Sequence, residues 1–175
     1  MRDAWTVRTA RPEDLAAIVA MTHELAEYER APERCHLTES HLDAALFAPA
    51  PALFGHVAVD VASGEPIGFA LWFLNFSTWE GVHGVYLEDL YVRPAARGTG
   101  AGRGLLAELA AICLARGYAR LEWWVLHWNP ARDFYHSIGA VPMDQWIPYR
   151  MEGEPLRVLA SRTTPTFRAG QDTNP

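Results

Sequence analysis

The chain has 175 residues, of which 50% are hydrophobic and 21% are charged, with a formal net charge of −6 at pH 7. These values predict a globular protein; they disfavour nucleic acid as a partner and weakly favour a cationic substrate. No apolar run approaches the roughly 18 residues of a membrane span, and the first residues lack a signal-peptide core. Two cysteines and seven scattered histidines show no metal-ligand spacing. We therefore expect a cytoplasmic protein that binds neither metal nor membrane.

The first half of the sequence predicts a strand, two helices and a hairpin. Pro12 is suited to a first helical turn, and Thr38 is suited to cap the second helix. A Ser-Gly-Glu-Pro turn at residues 63–66 separates two apolar runs, which is typical of a β-hairpin. The predicted elements are a strand over 5–10, helices over 12–30 and 38–47, and strands over 54–61 and 66–76.

The second half is organised around a strand over residues 85–92, a glycine-rich turn, and a helix from Gly100 to Arg116. Gly117 ends that helix. The helix is the crossover to a strand that should pair in parallel with the first. The remaining predicted elements are this strand over 120–126, a helix over 130–138, a strand over 145–151 and a helix over 154–160. We expect one domain over 1–162 and a disordered tail over 163–175.

The glycine-rich turn predicts an anion site. Its glycines bare main-chain N–H groups at a helix N-terminus, where the helix dipole favours a phosphate. A P-loop is excluded because the chain contains no lysine. A dinucleotide fingerprint fits poorly because the glycines stand at 98, 100, 102 and 104 and lie past mid-chain. A flexible surface loop is the remaining alternative, although the predicted strand, the motif and the predicted helix together favour the anion site.

One signature fits the turn. Arg97-x-x-Gly100-x-Gly102 resembles the Arg/Gln-x-x-Gly-x-Gly/Ala motif of the GNAT superfamily of N-acetyltransferases, and the element order resembles that superfamily over residues 5–160. Four segments resemble the diamine (spermidine/spermine-type) and thialysine N-acetyltransferase branch, namely residues 24–29, 86–90, 128–129 and 134–140. Two departures from the branch are a missing residue between Asn129 and Pro130, and Thr78 where an acidic residue usually precedes the Trp.

The resemblance implies an α/β (α+β) fold with a mixed sheet of six to seven strands and helices on both faces. Its N-terminal strands are antiparallel, and a central parallel pair splays apart at the cofactor site. The implied activity is transfer of an acetyl group from acetyl-CoA to a primary amine of a diamine, polyamine or lysine-like acceptor, in a homodimer. Cofactor binding is implied for Leu90, Tyr91, Val92, Arg97, Gly98, Thr99, Gly100, Ala101, Gly102, Arg103 and Asn129. Substrate binding is implied for Tyr28, Glu29, Trp79, Glu88, Asp89 and Asp144.

Two side chains carry the chemistry in this interpretation. An alkylamine with a pKa near 10 must lose a proton before it attacks, and Glu88 is the candidate base, or else a carboxylate that only orients the substrate. Tyr135 is the candidate acid for the leaving thiol, or else an amphipathic core tyrosine. The developing oxyanion would meet a backbone N–H near Leu90 or Tyr91.

Three other functions remain open. The acceptor could be an amino acid, an aminoglycoside-type amine or a protein N-terminus. The chain could be an acyl-CoA sensor without turnover, which the presence of both Glu88 and Tyr135 argues against. A nucleotide-phosphate-binding domain is opposed by the missing lysine.

Overall fold

A computed structural model of the protein describes residues 4–164. The chain divides after Trp124 into two compact units, which are described separately. The predicted disordered tail lies outside the described residues except for Thr163 and Thr164. Within 4–164, no helix combines the length and apolar character needed to cross a bilayer.

The first unit is built on a mixed sheet of five strands in the order β1-β2-β3-β4-β5. The first three pairings are antiparallel and the last is parallel, as the sequence predicts. The strands are β1 Trp5–Thr9, β2 Phe54–Asp60, β3 Pro66–Ser77, β4 Val82–Val92 and β5 Leu121–Glu122.

Helices cover both faces of this sheet. On one face, Ile18 and Met21 of α1 pack with Leu42 of α2 against Val57 and Phe69 of the sheet. On the other face, Leu105 and Leu109 of α3 are fully buried. Burial of these side chains is the main favourable term in the stability of the unit. The helices are α1 Leu15–Tyr28, α2 Glu39–Phe47 and α3 Ala101–Arg116, with α4 Ala131–Ser137 and α5 Gly153–Ala160 in the second unit.

Strand β4 contains a β-bulge at Glu88. Asp89 pairs with Leu71 and Leu87 pairs with Trp72, so Glu88 is left without an opposite residue on β3. Paired residues share a face of the sheet. Asp89 therefore faces α1 with Leu71, whereas Leu87 faces α3 with Trp72. The extra residue reverses the alternation that a regular strand would keep.

Strand β5 is shorter than the sequence predicts. It pairs with β4 only at Val85 and Tyr86, so the two strands part beyond that point, as the resemblance implies. The predicted strand over 145–151 is wrong for the single chain, because these residues form no strand in the structure. A strand needs a hydrogen-bonding neighbour, and the described part of the second unit contains no other strand. The observed sheet thus has five strands and not six or seven.

The start of α3 packs closely on β1. A Cβ added at Gly104 would lie 2.5 Å from two ring carbons of Trp5, whereas a Cβ added at Gly102 would lie 3.6 Å from the nearest atom, in Val92. The indole N–H of Trp5 also donates a hydrogen bond to the carbonyl of Thr99 at 3.0 Å. Gly104 is therefore required by packing, and its neighbour Gly102 is not.

We predict that Gly104→Ala destabilises the fold by about 1–3 kcal/mol, because the new methyl must displace the Trp5 ring. Gly102→Ala is the matched control in the same helical turn. It should leave stability unchanged or raise it slightly, since alanine favours helix by about 1 kcal/mol over glycine. Urea unfolding of both variants measures the difference, and equal stability of the two would contradict this packing argument.

Candidate active site

The glycine-rich loop leads into a helix start whose geometry suits an anion. Gly98 and Gly100 have φ of 77° and 93°, a left-handed conformation that favours glycine. The first helical hydrogen bond of α3 runs from the Gly104 N–H to the Gly100 carbonyl. The N–H groups of residues 101–103 consequently have no carbonyl one turn earlier, and within 4–164 no side chain caps the helix. These donors suit a pyrophosphate.

Two hydrogen bonds hold the loop in place. Thr99 accepts the bond from Trp5 through its carbonyl, and its hydroxyl donates to the Ala96 carbonyl at 2.7 Å. A Cβ built at Gly98 meets no atom within 4 Å, so this side of the loop is open to a ligand. The residues therefore fit the diphosphate of coenzyme A, whose acetyl thioester would supply the activated acyl carbon when bound.

The side chain of Arg97 contacts β4 and the end of α1. Its Nε–H donates to the Val92 carbonyl at 2.9 Å. Its guanidinium carbon lies 5.3 Å from the ring centroid of Tyr28 and 5.5 Å from that of Tyr91. These are cation–π distances. Arg97 thus belongs to the loop through its main chain, while its side chain contacts α1 and β4.

The open edge of β4 distinguishes between the two candidate oxyanion donors. Val92 points its carbonyl away from β3, since it accepts from Arg97, and the N–H of Arg93 bonds to Ile67 on β3. Backbone groups alternate between the two edges of a strand. Tyr91 therefore bonds toward β3 along with Arg93, and Leu90 presents its N–H at the edge where β5 has parted.

Three carboxylates meet near the bulge. Asp89 is half-buried, and burial together with the charges of Glu88 and Glu29 raises its pKa to about 6. Glu29 caps the C-terminal end of α1, and burial raises its pKa as well. Glu88 is exposed on the bulge. We call these three residues the acidic cluster. A bound cation would relieve their mutual repulsion.

Three aromatic rings lie near the acidic cluster on the α1 face of the sheet, and the sequence did not predict them as part of the site. The ring of Tyr86 lies 4.9 Å from that of Phe73 and meets Trp124 edge-on at 6.2 Å. Trp124 is 61% exposed. Tyr86 precedes the α3-facing Leu87 and so faces the same side as Asp89. We call Phe73, Tyr86 and Trp124 the aromatic shelf; only the unusual pair Trp123-Trp124 hinted at it in the sequence.

The second unit carries Asn129 and Tyr135. Asn129 precedes Pro130, the N-cap of α4, and its side-chain oxygen accepts a hydrogen bond from the Ala131 N–H at 2.9 Å, which forms a local turn. Tyr135 is half-buried in α4, with its ring 5.4 Å from that of Phe134.

Two predicted substrate-binding residues lie elsewhere in their units. Trp79 occupies the tip of the β3–β4 hairpin, is 88% exposed, and is not brought to the acidic cluster of its own chain. Asp144 lies in an exposed turn of the second unit. Their roles in substrate binding stay predictions.

Comparisons with known proteins agree with this geometry. The sequence model described as "Acetyltransferase (GNAT) family" matches residues 18–140. The chain belongs to the acetyltransferase (GNAT) family. Membership makes it an N-acetyltransferase and implies acetyl-CoA as its cosubstrate, and it confirms the superfamily resemblance drawn from the Arg97-x-x-Gly100-x-Gly102 motif.

Relatives in this family span nearly the whole chain. The thialysine N-epsilon-acetyltransferase of Bos taurus is 36% identical over 166 residues, which cover 89% of this chain and 97% of that protein. An L-ornithine N5-acetyltransferase of Arabidopsis thaliana is 27% identical, covering 87% and 86%. An integron cassette protein of V. cholerae matches in structure with a TM-score of 0.74 and 28% identity, covering 90% of this chain and 98% of that one.

We predict that Asp89→Asn stabilises the acetyltransferase by about 1–2 kcal/mol at pH 8. The fold raises the pKa of Asp89, so its ionisation costs stability, and this cost grows as pH rises from about 4 through 6. The gain in the variant should therefore shrink toward zero below pH 4. Unfolding at several pH values measures it. Glu88→Gln, at the exposed neighbour, is the control and should raise the free energy of unfolding less. A gain from Asp89→Asn that does not change with pH would contradict the prediction.

Proposed function

We propose that this enzyme acetylates a primary amine of a small cationic acceptor, namely a diamine, a polyamine or a lysine- or thialysine-like amino acid. The observation that supports this most strongly is the acidic cluster on the α1 face of β4, where a half-buried Asp89 faces two further carboxylates. Two relatives whose names give thialysine and ornithine as substrates align with most of this chain.

We assign separate tasks to the carboxylates. Glu88 lies exposed on the bulge, within reach of water, and accepts the proton of the attacking amine. Asp89 and Glu29 hold a positive charge of the acceptor. The Leu90 N–H stabilises charge that develops on the carbonyl oxygen of the acetyl donor. The aromatic shelf binds the carbon chain of the acceptor or its second ammonium group.

Substitutions of Glu88 and Asp89 should affect different kinetic constants. Glu88→Gln is expected to lower kcat by about 10²-fold with little change in the KM of the amine, because it removes a base. Asp89→Asn is expected to raise the KM of the amine about 10-fold or more, because it removes a charge from a hydrogen-bonding position. Steady-state rates with a diamine measure both, and the opposite pattern would reassign the base to Asp89.

Tyr135 is assigned as the proton donor to the leaving thiol. We expect Tyr135→Phe to lower kcat by about 10²-fold or more and to leave acetyl-CoA affinity nearly intact, since only the hydroxyl is lost. Tyr118→Phe is the matched control, because it also removes a tyrosine hydroxyl and Tyr118, whose ring meets His83 edge-on at 5.9 Å, has no role in the proposed site. An unchanged kcat in Tyr135→Phe would remove this role.

Further properties belong to the same proposal. We infer a cytoplasmic homodimer that requires no metal and binds neither nucleic acid nor membrane, with residues 1–162 as one acetyltransferase domain. The family match supports the single domain, because it runs across the division at Trp124. Residues 141–151 support the dimer, because their large apolar side chains are exposed in the single chain and would be buried by a second copy. These side chains are Val141, Met143, Trp146, Ile147, Tyr149 and Met151.

The acceptor class is tested by measuring thiol release from acetyl-CoA over a panel of amines. We expect turnover with short diamines, ornithine or thialysine and none with peptides or aminoglycosides. Turnover confined to peptides or aminoglycosides would redirect the acceptor. Tight coenzyme A binding without turnover on any amine would favour the acyl-CoA sensor instead.

A further inference from the structure

Arg97 joins two parts of the site that are distant in sequence. Its main chain begins the glycine-rich loop, and its guanidinium lies between the rings of Tyr28 and Tyr91. Tyr28 is the last residue of α1 and precedes Glu29 of the acidic cluster. One residue thus contacts both the loop that fits the coenzyme and the helix end that carries an acceptor carboxylate.

Further contacts bind the same helix to β4. Burial and a hydrogen bond to Glu24 raise the pKa of Tyr91. Glu24 lies one turn before Tyr28 on α1, and its Oε1 is 3.4 Å from Nε of Arg93. We call the residues Glu24, Tyr28, Tyr91, Arg93 and Arg97 the clamp. Their polar and cation–π contacts join the C-terminal half of α1 to the end of β4.

The loop and the end of α1 depend on the clamp unequally. The loop has its own supports, since Trp5 donates to Thr99 and Thr99 donates to Ala96. The end of α1 turns at Arg30, which has a φ of 63° although it is not glycine. Such a conformation persists only where neighbouring contacts enforce it. Loss of the clamp should therefore displace Glu29 more than it displaces the loop.

We propose that Arg97 is a positioning residue that places the acceptor-binding end of α1 against the cofactor loop, and that it does not bind the coenzyme through its side chain. This inference rests on the proposed acceptor role of the acidic cluster. It predicts that the guanidinium affects amine binding, through Tyr28 and Glu29, more than coenzyme binding. A phosphate-binding arginine would show the reverse.

The test compares Arg97→Met and Tyr28→Leu with Arg116→Met, an exposed arginine in the last turn of α3. We expect Arg97→Met and Tyr28→Leu each to raise the KM of the amine about 10-fold while the KM of acetyl-CoA changes less than about 3-fold. The double variant should lose little more than either single variant, because both break the same contact. Arg97→Lys should recover part of the loss by keeping the charge near the rings, and Arg116→Met should resemble the parent enzyme.

Calorimetric titration with coenzyme A provides a second readout that needs no turnover. Affinity within about 3-fold of the parent in Arg97→Met supports the inference, and a loss of about 10-fold or more overturns it. Additive effects of the Arg97 and Tyr28 variants on the KM of the amine also overturn it. If the parent acetylates no small amine, the proposed function fails, whereas the coenzyme titration still decides whether Arg97 holds phosphate.

Discussion

The active site depends on the hydrogen bonding of β4. This strand is paired along one edge with β3, while on its other edge β5 leaves it after Tyr86. The main-chain groups beyond that point, such as the Leu90 N–H, are therefore available to a ligand and not to the sheet. The bulge at Glu88 occurs in the same stretch and turns Asp89 toward α1. A fully paired β4 would offer no open edge, and a regular strand would turn Glu88 and not Asp89 toward α1.

The candidate site has opposite charges at its two ends, and only its positive end is made by main-chain groups. The proposed coenzyme end is formed by N–H groups at the start of α3, so the positive potential there comes from the main chain and the helix dipole. The proposed acceptor end is formed by carboxylates at the end of α1 and on the bulge. Arg97, the cation between them, is engaged by two aromatic rings. This arrangement suits a chain with a net negative charge that must still bind a polyanionic cosubstrate.

Local signals predicted what local structure determines. The helix α3 that follows the glycine-rich turn, its end at Gly117 and the cap at Thr38 all appear in the structure, because each depends on residues within a few positions. The strand predicted over 145–151 has a suitable apolar composition, but a strand also requires a neighbour, which no local pattern supplies. Burial raises the pKa of Asp89 most, and the charge of Glu29, sixty positions earlier, adds to the rise. The clamp likewise joins Tyr28 to Arg97. Such long-range contacts leave no trace in spacing or composition.

The pairing of an acidic cluster with an uncapped helix start has a practical consequence for the choice of solvent. Tris is a primary amine and is largely a cation at neutral pH, so it resembles the proposed acceptor. Phosphate and sulfate are small oxyanions that helix N-termini bind readily. Either kind of buffer would compete with one half of the site. Zwitterionic sulfonate buffers with tertiary amines, at low ionic strength, would leave both halves accessible to the ligands under study.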